Sequence, residues 1–262
     1  MVNTELLNHT HMPLVRAMAK SLPPHLAHKS ALALVLAPVD TSYAAVQAIR
    51  QVHDKAYDRW PPHINLLYPF LAQPSRDLDV ILARVQGAVD ELPPIAPSRF
   101  DTLGHFVHSK KSSTVFLAPR GDVGQAIERL QAALQAAFPE CNHDTRPFVP
   151  HLTLGQAAGG KQAAEALVAR MDNVLREHMP SKTTKDEGDD VDEALFNAMA
   201  NAAITTTTQE DPFRKATADP TTPWSYEWTV ARVVVLERQG FADPFHIVGE
   251  VPLSTVPNPK SS

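Results

Sequence analysis

The sequence predicts a domain of mixed helices and strands in which one strand–helix unit occurs twice. With 262 residues, 44% of them hydrophobic and 20% charged, the chain is long enough to bury a sizeable core. Apolar runs of strand composition alternate with stretches of helical periodicity along most of its length. Two of the predicted strands, in different halves of this alternation, begin with a histidine. These observations favour a globular domain with an internal duplication.

The first half of the alternation contains two predicted strands and two predicted helices. In order, they are a strand over 29–39, a helix over 43–58, a strand over 63–70 and a helix over 76–91. Asp40, Thr41 and Ser42 are typical helix-capping residues and precede the first helix. Pro93 and Pro94 end the second helix, because proline cannot continue the helical hydrogen bonding.

The second half repeats the strand–helix order and is followed by two late strands. Its predicted elements are a two-strand hairpin over 100–117, a helix over 123–138, a strand over 150–156 and a helix over 162–177. A polar turn over 109–112 has the spacing expected of a hairpin connection. The late strands cover 226–236 and 245–253, and we expect them to pair with each other.

Composition divides the chain into a domain and its additions. We expect residues 1–29 to be an N-terminal extension outside the core, residues 30–253 to form the domain, and residues 254–262 to be a tail. The net charge is −5, but residues 172–223 alone hold 11 acidic and 5 basic side chains. The rest of the chain then holds 18 acidic and 19 basic side chains, a balance of +1. We therefore predict an acidic, disordered insertion over 180–222.

This charge distribution also bears on the partners. Gripping long nucleic acid requires clustered lysine and arginine, so we expect no such surface, although a single nucleotide or a short RNA end remains admissible as substrate.

No apolar run is long enough to span a membrane, and the N-terminus lacks a secretion signal. The single cysteine, Cys141, excludes an intramolecular disulfide. We expect an intracellular monomer, cytoplasmic or nuclear.

Two strands of the predicted sheets have the same sequence plan. Residues 63–66 (His-Ile-Asn-Leu) and 151–154 (His-Leu-Thr-Leu) both read histidine, aliphatic, short polar, leucine. Because side chains alternate between the faces of a strand, His63 and Asn65 share one face, and His151 and Thr153 share the equivalent face. If both strands line one groove, two imidazoles and two short polar side chains converge on a volume the size of a phosphate.

This constellation suits phosphodiester chemistry. One histidine can take a proton from the attacking hydroxyl or water while the other protonates the departing oxygen, and imidazole titrates near neutral pH. Asn65 and Thr153 can donate hydrogen bonds to the non-bridging oxygens as charge builds up on them. Neither a metal nor another cofactor is needed for these steps. A zinc site fits poorly, because zinc catalysts use three protein ligands and neither strand carries a third.

The two strands resemble the paired His-x-Thr/Ser motifs of the two-histidine phosphoesterase superfamily, which includes RNA 2′,3′-cyclic phosphodiesterases and 2′-5′ RNA ligase-like proteins. The Pro-x-x-Pro-His sequence over 147–151, the separation of 88 residues between the histidines and the late strand over 228–238 also fit. The similarity covers roughly residues 30–170 and 224–253. It implies a bilobal α+β fold, with a pseudo-twofold pair of antiparallel sheets lining a central groove and helices outside.

The resemblance also implies roles for individual residues. His63 and His151 are the catalytic acid–base pair, and Thr153 contacts the substrate phosphate. Asn65 departs from the family pattern, because a threonine or serine is usual there, and an amide differs from a hydroxyl in reach. Gln156 stands where some relatives have an arginine, so the substrate preference of those relatives does not carry over.

Residues beside the motifs have two interpretations each. Tyr68 is a candidate for substrate binding by stacking on a base, as is Trp60, but Tyr68 shares strand parity with Ile64 and Leu66, which favours core packing. Arg146, in the loop before the second motif, is a candidate for substrate binding, and a solvent-exposed surface role is its alternative. At the level of the whole protein, the alternatives are a nucleotide-binding module without turnover, suggested by Asn65, and a scaffold that recruits a partner through the acidic segment.

Overall fold

A computed structural model describes residues 22–40, 42–178 and 224–254. Its strands are β1 (Leu26–Ala27), β2 (Ser30–Val35), β3 (His63–Leu67), β4 (Phe70–Leu71), β5 (Ser98–Ser109), β6 (Ser112–Pro119), β7 (Leu152–Ala157), β8 (Tyr226–Trp228), β9 (Arg232–Glu237) and β10 (His246–Pro252). Its helices are α1 (Tyr43–His53), α2 (Leu78–Asp90), α3 (Asp122–Ala137) and α4 (Lys161–His178), with 3-10 turns at Pro74–Arg76 and Pro139–Cys141. The insertion predicted over 180–222, residues 1–21 of the predicted extension and residues 255–262 of the predicted tail lie outside the described residues.

The first sheet has the antiparallel strand order β10-β9-β2-β3. All six residues of β2 are buried, as expected for a central strand covered on both faces. A short ribbon of β1 and β4 lies beside this sheet, with Leu26 opposite Leu71. Leu26 is part of the main hydrophobic core. Residues 22–29 therefore pack onto the domain, whereas their sequence predicted an extension outside the core.

The second sheet has the antiparallel order β7-β6-β5-β8. The single strand predicted over 226–236 is wrong, because the chain breaks into β8 and β9 and changes sheets between them. Ser98 of β5 pairs with Trp228 of β8, whereas Ala33 of β2 pairs with Val234 of β9. Trp228 and Val233 are both buried, one in each sheet. The predicted pairing of the two late strands is confirmed for β9 and β10.

The helices lie on the outer faces of the two sheets. Two of them pack against a strand from the other half of the chain. Helix α1 follows β2 in the chain but packs against β7, and α3 follows β6 but also packs against β3. Helix α4 completes the cover of the second sheet, and α2 packs on α3 and β10. A Cβ at Gly155 would lie 2.5 Å from Cβ of His53, so glycine allows α1 to approach β7. The predicted α+β fold with paired antiparallel sheets is confirmed.

Candidate active site

The first half-site lies at the start of β3, an edge strand of the first sheet. His63 pairs with Val35, and Asn65 pairs with Ala33 on the neighbouring strand. Ile64 between them is fully buried in the main core on the helix side. His63 and Asn65 therefore project from the opposite, groove-facing side, as the strand period predicts.

The second half-site has the same backbone arrangement on β7, the edge strand of the second sheet. His151 immediately precedes β7, Thr153 is partly exposed, and Leu152 and Leu154 are fully buried. Each strand also has a register shift three residues after its histidine, at Leu66 in one and at Leu154 in the other. Since β3 and β7 pack against each other, the duplicated geometry brings both half-sites to one place between the sheets.

Both imidazoles are oriented by the same hydrogen bond. Nδ1 of His63 lies 2.7 Å from the carbonyl oxygen of Pro61, and Nδ1 of His151 lies 2.7 Å from that of Val149. A carbonyl only accepts, so each Nδ1 carries a proton and donates it. In the neutral ring Nε2 then holds the lone pair, which fixes the tautomer needed for a base.

The two short polar side chains differ in what they contact. The amide nitrogen of Asn65 donates to Nε2 of His63 at 3.0 Å, and its Oδ1 is buried without a hydrogen-bond partner in the described part of the chain. The hydroxyl of Thr153 makes no hydrogen bond within that same part. Asn65 is thus engaged with its own histidine, whereas Thr153 is free to bind an incoming oxygen.

An aromatic layer encloses His63. The Trp60 ring stacks on the imidazole with centroids 4.4 Å apart, and Phe245 lies 3.8 Å behind Trp60. Burial lowers the pKa of His63 to about 4, against the opposing effect of the bond to Pro61. The charges of Arg50 and of His151 lower it further. His63 is therefore neutral at physiological pH.

His151 has a more open environment. Its ring makes a T-shaped contact with Phe106 and a tilted contact with Phe116, with centroids 5.0 and 5.2 Å away. Gly104 makes room for the Phe116 ring, because a Cβ there would lie 2.5 Å from it. Burial again lowers the pKa of His151, and the charges of Arg146 and of His108 act in the same direction.

The structure separates the flanking candidates. Tyr68 donates a hydrogen bond to the carbonyl of His28 and contacts the edge of Trp60, in a cluster on the groove side of the first sheet. Tyr68 does not pack beside Ile64, as strand parity predicted, because the register shift at Leu66 turns Tyr68 to the other face. Trp60 has His63 on one face and Phe245 on the other, so no base can stack on it. Arg146 is mostly exposed and forms an ion pair with Asp144.

Three residues beside the site gave no usable signal in the sequence. His108 lies on the groove side of β5 and shares a hydrogen bond of 2.8 Å with the Thr114 hydroxyl. Arg50 is 1% exposed, although a basic residue in an amphipathic helix ordinarily faces solvent. Gln156 bonds to the end of α1 instead of facing the site as a substitute for an arginine. Only tertiary contacts distinguish these residues from ordinary surface residues.

No group of three or more histidine, cysteine, aspartate or glutamate side chains in residues 22–40, 42–178 and 224–254 is arranged to hold a metal ion. In the same residues, no helix has the length and apolar character needed to cross a membrane.

Comparisons with known proteins identify one family. The family model of the 2′-5′ RNA ligase superfamily matches residues 38–187. A candidate phosphoesterase of Staphylococcus aureus (strain JH1) is 25% identical over 136 residues, which is 50% of this chain and 73% of that protein. Two solved structures are similar over most of their length. E. coli LigT complexed with 3′-AMP has a TM-score of 0.41 at 15% identity, over 87% of this chain and 99% of that one. Kluyveromyces marxianus Usb1 has a TM-score of 0.37 at 10% identity, over 86% and 97%.

Proposed function

This chain belongs to the 2′-5′ RNA ligase superfamily, and from that premise we propose that it is a metal-independent phosphodiesterase. Its substrate is a 2′,3′-cyclic phosphate or a 2′-linked phosphodiester of a nucleotide or RNA end. The observation that carries the proposal is the matched pair of bonds from Nδ1 of His63 and His151 to backbone carbonyls. These bonds engage Nδ1 of each ring and leave Nε2 as the atom for proton transfer.

The surroundings of the two histidines support a different proposed role for each. His63 is the general base, because burial keeps its pKa at about 4 and leaves Nε2 with a lone pair at neutral pH. His151 is the general acid. It is less enclosed, and an anionic phosphate bound beside it stabilises the imidazolium form that must donate a proton.

The reaction balances with these two groups and a water molecule. Nε2 of His63 takes a proton from water, whose oxygen forms a new bond to phosphorus. The bond from phosphorus to the ribose oxygen breaks, and that oxygen receives the proton from Nε2 of His151. The Thr153 hydroxyl donates to a non-bridging oxygen as its charge grows. Asn65 does the same once its amide leaves His63.

The contact between Asn65 and His63 also favours a second candidate function, a nucleotide-binding module without turnover. The amide occupies the nitrogen that must accept a proton. If substrate cannot displace it, the groove binds phosphate but the base stays blocked. In that case, the Asn65→Thr variant gains hydrolysis that the natural chain lacks.

A substrate panel tests the proposed function. Protein treated with chelator is given 2′,3′-cyclic nucleotides, RNA ends carrying a cyclic phosphate, and 2′-5′ oligonucleotides, and products are separated by chromatography. We expect hydrolysis of at least one, reduced by about 10²- to 10⁴-fold in His63→Ala and in His151→Ala. His246→Ala, at an exposed histidine that opens β10, is the matched control. Full activity in either active-site variant, or loss of activity with chelator, contradicts the mechanism.

A further inference from the structure

A buried polar bridge connects the strand of His151 to the residue that stacks on His63. Arg50 of α1 and Asp54, just after that helix, form an ion pair whose side chains are 1% and 2% exposed. Oδ2 of Asp54 accepts from Nε and Nη2 of Arg50 at 2.9 and 2.8 Å. Oδ1 accepts from the backbone N–H of Ala56 at 2.9 Å.

The bridge enters the second sheet through Gln156. Its amide nitrogen donates to Oδ1 of Asp54 at 2.9 Å, and its carbonyl oxygen accepts from the backbone N–H of Lys55 at 2.8 Å. Gln156 is thus held at both ends of its amide by the residues that follow α1. It lies on β7, five residues after His151.

The bridge leaves towards the first sheet through Arg50. Nη2 of Arg50 donates to the carbonyl oxygen of Trp60 at 2.8 Å, and Nη1 donates to Gln47 at 2.9 Å. Trp60 is the residue whose ring stacks on His63. A continuous chain of polar contacts therefore runs from β7 to the surface that supports the base.

Such a bridge is rigid because its members cannot relax independently. A buried ion pair is tolerated only where its remaining donors and acceptors are satisfied, and both oxygens of Asp54 have partners here. Displacing Gln156 leaves Oδ1 of Asp54 and the amide of Lys55 each short of one bond. The structure of lowest free energy is therefore the one in which β7 keeps its position against α1 and Trp60.

We propose that Gln156, acting through Asp54 and Arg50, is a positioning residue that fixes the placement of His151 relative to His63. The inference rests on the proposed function, since the spacing of the two imidazoles matters only if they act on one phosphate. Gln156 and Asp54 touch no reacting atom in this role. Their effect is to hold two proton-transfer groups on opposite sides of one phosphorus.

The test compares Gln156→Met and Gln156→Glu with Gln86→Met. Methionine keeps the length of glutamine and removes both hydrogen bonds, whereas glutamate places a second carboxylate against Asp54. Gln86 donates to Asp90 within α2, away from the bridge, so Gln86→Met controls for losing one glutamine–aspartate bond. Each variant is assayed for kcat and KM on the best substrate of the panel. The pKa of His63 is followed by NMR, and the exchange rate of the Lys55 amide is measured.

We expect kcat to fall roughly 10- to 100-fold in Gln156→Met and further in Gln156→Glu, with KM changed less than about threefold, because misplacing reacting groups by an ångström costs that much. The pKa of His63 should rise from about 4 as water reaches a loosened Trp60, and the Lys55 amide should exchange faster. Gln86→Met should change none of these.

Two results overturn the proposal. One is an unchanged kcat and His63 titration in Gln156→Met with only a lower melting temperature, since the bridge is then merely structural. The other is an equal fall in kcat for Gln86→Met. If the natural chain hydrolyses nothing in the panel, the proposed function fails separately. The titration and the amide exchange then still report whether Gln156 positions His63, and if neither changes the positioning role fails too.

Discussion

The half-sites of His63 and His151 share their backbone and differ in their surroundings. In both, Nδ1 donates to a carbonyl two residues earlier, and a leucine three residues later takes up a register shift. His63, however, lies under Trp60 with its Nε2 capped by Asn65, whereas the rings beside His151 are T-shaped or tilted, and Thr153 beside it is unbonded within the described residues. The position of each histidine at the start of its strand, with the bond from Nδ1, sets the orientation of the imidazole. The surrounding loops and helices differ between the two half-sites, and this difference is the basis for proposing one histidine as base and the other as acid.

The largest expected effect that separates the two half-sites is on stability at acid pH. The folded-state pKa of His63 is about 4, below its ordinary value of 6.5, so unfolding takes up a proton between these pH values. The stability linked to His63 is complete above pH 6.5 and is lost as pH falls towards 4, by about 3 kcal/mol. Urea unfolding from pH 7 to pH 4 should show a loss of stability in the natural chain that is smaller by about 3 kcal/mol in His63→Gln.

His151→Gln is the matched variant for that experiment. Burial lowers the pKa of His151 as well, so its contribution has the same sign, but the ring is less enclosed and the slope it removes should be smaller. A larger change in His151→Gln than in His63→Gln would reverse the assignment of base and acid made from burial.

An intermediate effect is expected from the rings that support the histidines. In Trp60→Leu, water reaches the face of His63, so the pKa of His63 should rise towards 6.5 and kcat should fall about tenfold. In Phe106→Leu, a T-shaped contact to His151 and the packing on Phe116 are weakened, but neither ring stacks flat on the imidazole, so kcat should fall less than about threefold. Histidine NMR titrations and steady-state kinetics on both variants measure the difference. Equal losses in the two would mean that stacking gives His63 no special protection.

How much of this comparison could be predicted from the sequence depends on the range of the contacts involved. The faces of His63, Asn65, His151 and Thr153 follow from alternation along a strand, and helices such as α3 end within one residue of their periodic pattern. The first helix ends at His53 and not at 58, because the Asp54 side chain accepts from Ala56 and Arg50 and stops it. That cap is local, an aspartate turn two residues long, and the helical periodicity over 43–58 hid it.

The sequence-based predictions fail where a residue distant in sequence determines the strand pairing or the side-chain contact. Pairing of β8 with β5 and of β9 with β2 splits one apolar run between two sheets, and neither pairing is visible in the run itself. The register shift at Leu66 reverses the parity on which the interpretation of Tyr68 rested. In the sequence, Gln156 is only a polar residue near a strand end. Its bonds to Asp54 and Lys55 depend on the packing of α1 against β7. The site motifs were predictable because they are local and repeated, and their supports were not because they are unique and long-range.

The smallest expected effect comes from exchanging the two short polar residues. In Asn65→Thr, a hydroxyl replaces the amide that donates to His63 and the buried Oδ1 that lacks a partner disappears, so the base should be freer and kcat should rise about two- to threefold. In Thr153→Asn, the second half-site acquires an amide able to cap His151, and kcat should fall by a similar factor. Steady-state kinetics on both variants and on the double exchange measures these changes. A lower kcat in Asn65→Thr would contradict the blocking of the base. It would mean that the Asn65 amide assists catalysis by donating to His63 or to the phosphate.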